Sequence, residues 1–249
     1  MVRVMKMMIR IMKISKGIEI IDLALWLQEE NILIINDLHL GYEESLQRKG
    51  VLLPKFQINE IFKKLERILE RIKPRKKITP VKIIINGDLK HEFGSVLKQE
   101  WKEVLLFLDF LLTRCQSVII IKGNHDPFTK AIAEKKGIKI VKEYSFGDTL
   151  IVHGDALVKT KAKRIIIGHE HPAISLREGS KWEKYKCFLR GKWKGKELLC
   201  MPSFNPLLEG TDVLKEKLLS PFLQEVKDVE VYVANEGEVF YFGKIKSLL

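Results

Sequence analysis

Residues 81–91 read VKIIINGDLKH, and this stretch decides the fold. An apolar, β-branched run passes directly into a glycine and then into polar residues. A continuous apolar run of this length reads as a strand buried on both faces, as in a parallel sheet covered by helices. The glycine permits a sharp turn, so Asp88 and His91 stand at the strand's carboxyl end. The same event recurs four times. NILIIN (31–36) runs into Asp37-Leu38-His39, and SVIIIK (117–122) into Gly123-Asn124-His125-Asp126. TLIV (149–152) runs into His153-Gly154-Asp155, and RIIIG (164–168) into His169-Glu170-His171. Ligand sites in open α/β sheets lie beyond the carboxyl ends of strands. Five segments therefore deliver polar residues to one edge.

Between these strands the continuous apolar runs give way to apolar residues spaced three and four apart. Ile58, Ile61, Phe62, Leu65, Ile68, Leu69 and Ile72 form one helical stripe, stopped by Lys73-Pro74. Leu97, Trp101, Val104, Leu105, Leu108, Leu111 and Leu112 form a second. A short third helix is expected with Asp126 as its cap, Pro127 at its first position and Gly137 at its exit. The back half differs. Residues 185–190 and 197–201 flank Lys194-Gly195, and residues 229–233 and 239–242 flank Asn235-Glu236-Gly237, which predicts two hairpins. An α/β front with an antiparallel back implies a layered sandwich with helices outside.

The chain has 249 residues and reads as a single domain over 17–249, with no internal repeat or linker. Before it, residues 1–16 read as a basic extension. Five of the six methionines fall in the first twelve residues, as in a frayed end or a start codon set too far upstream. The composition, 46% hydrophobic and 31% charged, excludes a disordered chain. The net charge of +12 suits a phosphate-rich partner; the plain alternative is a lysine-coated surface. Cys115, Cys187 and Cys200 are odd in number and lack metal-ligand spacing, so they read as packing residues of a reduced protein. Sparse Asn and Gln beside abundant Lys and Glu hint at a thermophile. No segment reads as a signal peptide or a membrane span, so a cytoplasmic protein without a membrane partner is expected.

All six histidines, His39, His91, His125, His153, His169 and His171, lie in the five segments that follow strands. In extended chain, residues two apart point the same way. Asp37 with His39, and His169 with His171, are therefore expected to reach one site together. Carboxylate, amide and imidazole donors suit manganese, iron, zinc or nickel, manganese being favoured. Without a cysteine in the set, a closed structural zinc site does not fit. Two ions about 3.5–4 Å apart can activate water and clamp a phosphoryl group.

The blocks D-x-H, GD, GNH-D, a separate H and G-H-x-H occur in that order across residues 37–171. In this the chain resembles the calcineurin-like metallophosphoesterases. The resemblance implies a four-layer αββα sandwich of two mixed β-sheets flanked by helices. It implies that Asp37, His39 and His171 hold one divalent ion, that Asn124, His153 and His169 hold a second, and that Asp88 bridges them. His125 would sit over the substrate, stabilise developing charge and protonate the leaving oxygen. Asp126 would orient His125 as well as cap its helix. DLHLGYEESLQRKGV (37–51) and SFNPLLEGTDV (203–213) further resemble an archaeal branch related to the SbcD-type nucleases. On that likeness His91 contacts the scissile phosphate; the plain alternative is a supporting or surface histidine.

Two departures bear on function. Lys90-His91-Glu92 stands where the protein-phosphatase branch carries an arginine, which disfavours that activity. The chain also ends before a full DNA-capping domain and ATPase-binding segment could follow. The expected function is hydrolysis of a phosphodiester, nucleic acid included. The alternatives are a nucleic-acid-binding repair accessory with a vestigial metal site, and a small-nucleotide or cyclic phosphodiesterase. DNA, RNA and a homodimer are left open as partners. Trp182 and Trp193, in the basic stretch 181–196, could track a nucleic-acid backbone; a solvated hairpin is the favoured reading of that stretch, and a helix terminus and loop that of KPRKK (73–77). Trp101 reads as core, and Trp26 is left unassigned. Ser203, Thr211 and Asp212 have no partners for nucleophilic catalysis.

Overall fold

The apolar runs pair in register. The computed structural model describes residues 10–72, 81–92, 97–126 and 129–248. Strands β1 (Ile11–Ser15), β2 (Ile18–Ile21), β3 (Ala24–Leu27) and β4 (Ile32–Asn36) form an antiparallel meander. The sheet continues in parallel through β5 (Lys82–Asn86), β6 (Ser117–Ile121) and β7 (Lys139–Val141). Asn36 lies level with Asn86, and Asn86 with Ile121. The three loops that follow therefore leave the sheet at one edge. Helices α1 (Tyr42–Arg48), α2 (Gln57–Arg71), α3 (Lys98–Leu112) and α4 (Thr129–Lys135) make the connections. The stop at Lys73-Pro74, the run 73–77 and Pro127 lie outside the described residues.

Strand β1 falls within the stretch read as an extension. It pairs with β2, and Ile14 is buried in the core. Among the described residues the first strand of the sheet starts at Ile11. The methionine-rich composition masked a short β-branched segment whose partner is the next strand.

The second sheet holds β8 (Glu143–Phe146), β9 (Thr149–Val152), β10 (Arg164–Ile167), β11 (Pro172–Glu178), β12 (Lys181–Trp193), β13 (Lys196–Cys200) and β14 (Thr211–Asp212). Their order is β14-β11-β12-β13-β10-β9-β8, with β15 (Lys227–Asn235) also on β12 and β16 (Glu238–Lys244) on β15. Both expected hairpins are present, β12–β13 and β15–β16. Alternation decides which face packs where. Ile151, Ile166, Phe188 and Leu199 enter the core shared with the first sheet. Their neighbours Leu150, Val152, Ile165, Ile167, Leu198 and Cys200 face a second core. Each such side chain contributes about 1.5–3 kcal/mol on burial.

The two mixed sheets and a helical layer match the expectation. Among the described residues, all four α-helices lie between residues 42 and 135. Phe222, Leu223, Leu214, Leu218 and Val158 cover the outer face of the second sheet from loops and a 3-10 turn. Leu214, Leu218 and Phe222 have helical spacing, but Pro221 removes a backbone donor in that stretch. Trp193 is buried against Phe222, which removes it from any nucleic-acid surface. Trp26 is also buried and Trp101 packs against the core, whereas Trp182 is exposed beneath the Lys215 ammonium. All three cysteines are free and buried. No helix among the described residues is long and apolar enough to cross a membrane.

Candidate metal centre

Asp37 and His39 do not converge by strand alternation as expected. Their φ angles are +47° and +43°, and Asp88, His169 and His171 stand at +43°, +65° and +51°. Five ligand candidates are thus left-handed turn residues, each costing on the order of 1–3 kcal/mol and tolerated where surrounding bonds over-determine the backbone. The loops after β4 and β5 supply part of that. They run side by side through His39 N–H to Asp88 O (2.8 Å), Leu40 N–H to Leu89 O (2.9 Å) and His91 N–H to Leu40 O (3.0 Å).

The remaining support comes from distant side chains that the sequence reading missed. Ser203 Oγ donates to Asp37 O at 2.7 Å, and Gln57 Nε2 to His39 O at 2.9 Å. Glu100 Oε1 accepts from His91 N–H (2.9 Å) and Glu92 N–H (2.8 Å). Glu103, one turn on, accepts from Gly41 N–H at 3.1 Å. Lys186 Nζ donates to the carbonyls of Ser203 (2.8 Å) and Asn205. One signal was available: Glu100 falls four residues before Val104, on the apolar stripe of α3, and is fully buried. An acid there needs donors, and site loops provide them.

Gly123 illustrates how tightly the site is built. A Cβ at this position would meet the backbone nitrogen and carboxylate of Asp88, with Asp88 Cγ only 2.9 Å away. Asp126 reaches back to the same corner. Its carboxylate accepts from Gly123 N–H (3.1 Å) and Leu89 N–H (3.1 Å), fastening the β5 loop to the β6 loop. Helix α4 is described from Thr129 onward, and the expected cap, which turns on residues 127 and 128, lies outside the described residues.

The side chains gather into two groups with metal-ligand spacing, Asp37–His39–His171 and Asp88–His153–His169. Within each, the ligand atoms lie within 4.8 Å of one another. Asp88 also reaches the first group: its Oδ2 is 3.4 Å from His153 Nε2 and 3.6 Å from His39 Nε2. Asn124 Oδ1 lies 2.8 Å from His153 Nε2. His171 Nε2 is 3.2 Å from Asp37 Oδ2, and His169 Nδ1 is 3.2 Å from His153 Nε2. His39, His91 and His125 form a further triad on one side. His125 Nδ1 bonds to the His91 carbonyl, and the Tyr42 ring packs edge-on against His91 at 4.7 Å. All ten residues expected at the site thus meet at one edge.

The donor set fits divalent cations. Asp37, Asp88, His39 and His153 are buried, and Asp37 Oδ1, His39 Nδ1 and His153 Nδ1 have no hydrogen-bond partner. Burial pushes the Asp88 carboxyl up, but the His153 hydrogen bond and charge outweigh it and hold it well below the usual carboxylate range. Burial lowers His39, with His171 adding to the effect, and also lowers His125 and His169. It lowers His91 to about 4, with His125 contributing. Neutral imidazoles keep a lone pair for a metal. His153 is the exception: burial disfavours its charge, but Asp88 and Asp37 raise it to about 9. A cation between those carboxylates would replace that proton.

A family model described as calcineurin-like phosphoesterase matches residues 30–234. No curated protein sequence matches the chain. Among solved structures it is similar to nuclease MPE of Pseudomonas putida, at 18% identity over 90% of this chain and 94% of that chain, with a TM-score of 0.62. It is also similar to the zinc-complexed Vps29 of Entamoeba histolytica, at 16% identity over 86% of this chain and 98% of that chain, with a TM-score of 0.35. The first is a likeness of fold; the second is too distant to carry an argument.

Proposed function

Since this chain belongs to the calcineurin-like phosphoesterase family, whose members are metal-dependent phosphoester hydrolases, we propose that it hydrolyses phosphodiesters, nucleic acid among them, with two divalent ions. Asp37, His39 and His171 would hold one ion, Asn124, His153 and His169 the other, and Asp88 would serve both. The observation that carries this is the position of Asp88, whose one carboxylate oxygen lies 3.6 Å from His39 and 3.4 Å from His153. Manganese is the favoured metal for this oxygen and nitrogen donor set. Two such ions would acidify a water and neutralise the phosphoryl oxygens.

The chain's own residues do the rest. The His91 carbonyl accepts a hydrogen bond from His125 Nδ1–H, and the Nε2 edge of the ring lies 3.9 Å from Asp88 Oδ2. A phosphoryl anion beside that edge favours the imidazolium, which then gives its Nε2 proton to the leaving oxygen. His91 stands next to it and contacts the phosphate. The left-handed turns at Asp37, His39 and Asp88 are held by Ser203, Gln57 and the paired loops, so ligand geometry is set before metal arrives.

Nucleic acid as the substrate is supported by the net charge of +12, by Trp182 on a basic strand, and by the sequence likeness of residues 37–51 and 203–213 to the SbcD-related branch. The Pseudomonas putida nuclease contributes fold alone. Turnover of an aryl phosphodiester with Mn2+, Fe2+, Zn2+ or Ni2+ tests the reading, followed by DNA, RNA and cyclic nucleotides under the best metal. Asp88→Ala is expected to lose bound metal and turnover together, whereas His125→Ala keeps metal and loses turnover. Absence of turnover with every ion, with metal content unchanged in Asp88→Ala, would sink the proposal.

A further inference from the structure

The loop after α1 presents apolar surface to solvent. Leu52 is 97% exposed and Val51 43% exposed. Exposure of that degree in a loose loop would mean little, but this loop is fastened. Val51 N–H donates to Leu46 O (3.1 Å), Gly50 N–H to Gln47 O (2.9 Å) and Gln47 Nε2 to Leu53 O (2.8 Å). Beneath it, the buried Glu43 carboxylate accepts from Phe56 N–H (2.7 Å) and Gln57 N–H (2.8 Å). The backbone is thus held while an aliphatic side chain stands in water, at a cost that burial against a partner would return.

Position and charge indicate the partner. Helix α1 starts at Tyr42, whose ring packs on His91, and runs seven residues to Arg48. At 1.5 Å per residue its far end lies ~10 Å from the His91 side, about three base steps at 3.4 Å each. Lys49 and Lys55 flank the tip, and among the described residues neither forms an ion pair. Arg48 is engaged with Glu44 at 3.2 Å. Proteins that follow single strands supply aromatic platforms for stacking. An aliphatic residue on a rigid tip between cations instead matches the wedges that enter base steps of a duplex.

We infer that Leu52 is a duplex-DNA wedge, seated about three base steps from the scissile phosphate with Lys49 and Lys55 on the flanking phosphates. This rests on the phosphodiesterase reading above and extends it to the form of the substrate. The test compares the full chain with Leu52→Ser and Lys49→Gln under saturating Mn2+. The substrates are an aryl phosphodiester, a duplex DNA and the corresponding single strand. Leu52→Ser is expected to leave kcat/KM on the aryl diester within about twofold and to lower it about tenfold on duplex, the equivalent of burying part of one leucine. Lys49→Gln is expected to lower the slope of duplex affinity against salt by about one. Equal duplex cleavage by Leu52→Ser and the parent overturns the inference, as does an equal loss on duplex and single strand. If the parent turns over the aryl diester but cleaves no duplex, the wedge fails while the hydrolase reading stands. No turnover of any substrate by the parent overturns both.

Discussion

Replacing Glu100 tests how His125 is held. The Glu100 side chain is fully buried and touches none of the proposed ligand side chains in its assigned bonds. It accepts from Glu92 N–H at 2.8 Å and His91 N–H at 2.9 Å. In Glu100→Ala the His91 N–H keeps the Leu40 carbonyl at 3.0 Å, so the principal loss is one orphaned donor at Glu92. An unsatisfied donor of this kind costs about 1–3 kcal/mol. Removing a carboxyl whose pKa burial raises returns part of that, leaving about 2 kcal/mol of destabilisation. The functional effect is separate. The turn freed by the substitution carries the carbonyl that accepts from His125 Nδ1. A displacement of about 1 Å there is worth on the order of a hundredfold in turnover. Denaturant unfolding, metal content and turnover of an aryl phosphodiester at saturating Mn2+ give the three readouts. Glu100→Ala should keep its metal, lose about 2 kcal/mol and lose most turnover, and Glu100→Gln, which retains the acceptor oxygen, should recover most of both. The reasoning is refuted if Glu100→Ala turns over like the parent, or if Glu100→Gln is as impaired as alanine.

Gly123→Ala places a methyl against the Asp88 backbone and carboxylate; it should cost about 1–3 kcal/mol and lower metal content, read by denaturant midpoint and elemental analysis. Chelation should lower the melting temperature reversibly. Each site filled at a hundred times its Kd adds about 2.7 kcal/mol, which at this chain length is about 5–10 °C, and calorimetry with and without Mn2+ measures it. Burial pushes the Lys186 ammonium down from 10.5 to about 7. Between those values the unfolded chain binds a proton that the folded chain does not, so stability should rise with pH across that window and be level below it. Lys186→Met should remove that rise; a parent–variant stability difference that does not change between pH 7 and 10 would contradict it.

How much was legible in the sequence follows from which interactions are local. The runs NILIIN, VKIIIN and SVIIIK carry their own instruction, because β-branched residues without alternation suit only a strand covered on both faces. They appear as β4, β5 and β6. The order of Asp37, His39, Asp88, Asn124, His125, His153, His169 and His171 was equally plain, since each follows directly on a strand. The way they converge was not. Left-handed turns at Asp37, His39, Asp88, His169 and His171 replace the extended geometry that their two-residue spacing suggests. Those turns depend on Ser203, 166 residues from Asp37, and on Gln57, 18 residues from His39.

The sequence by itself determined the strands that carry the site, the polar residues that follow them and the chemical identity of the donor set, because propensity, period and residue type act within a few residues. Only the tertiary structure decided which further acids brace the site loops. Asp88 and Glu100 are both buried carboxylates, one facing imidazoles and the other accepting backbone N–H groups. That difference arises from which loop folds against each, and pairings between residues distant along the chain leave no local signature.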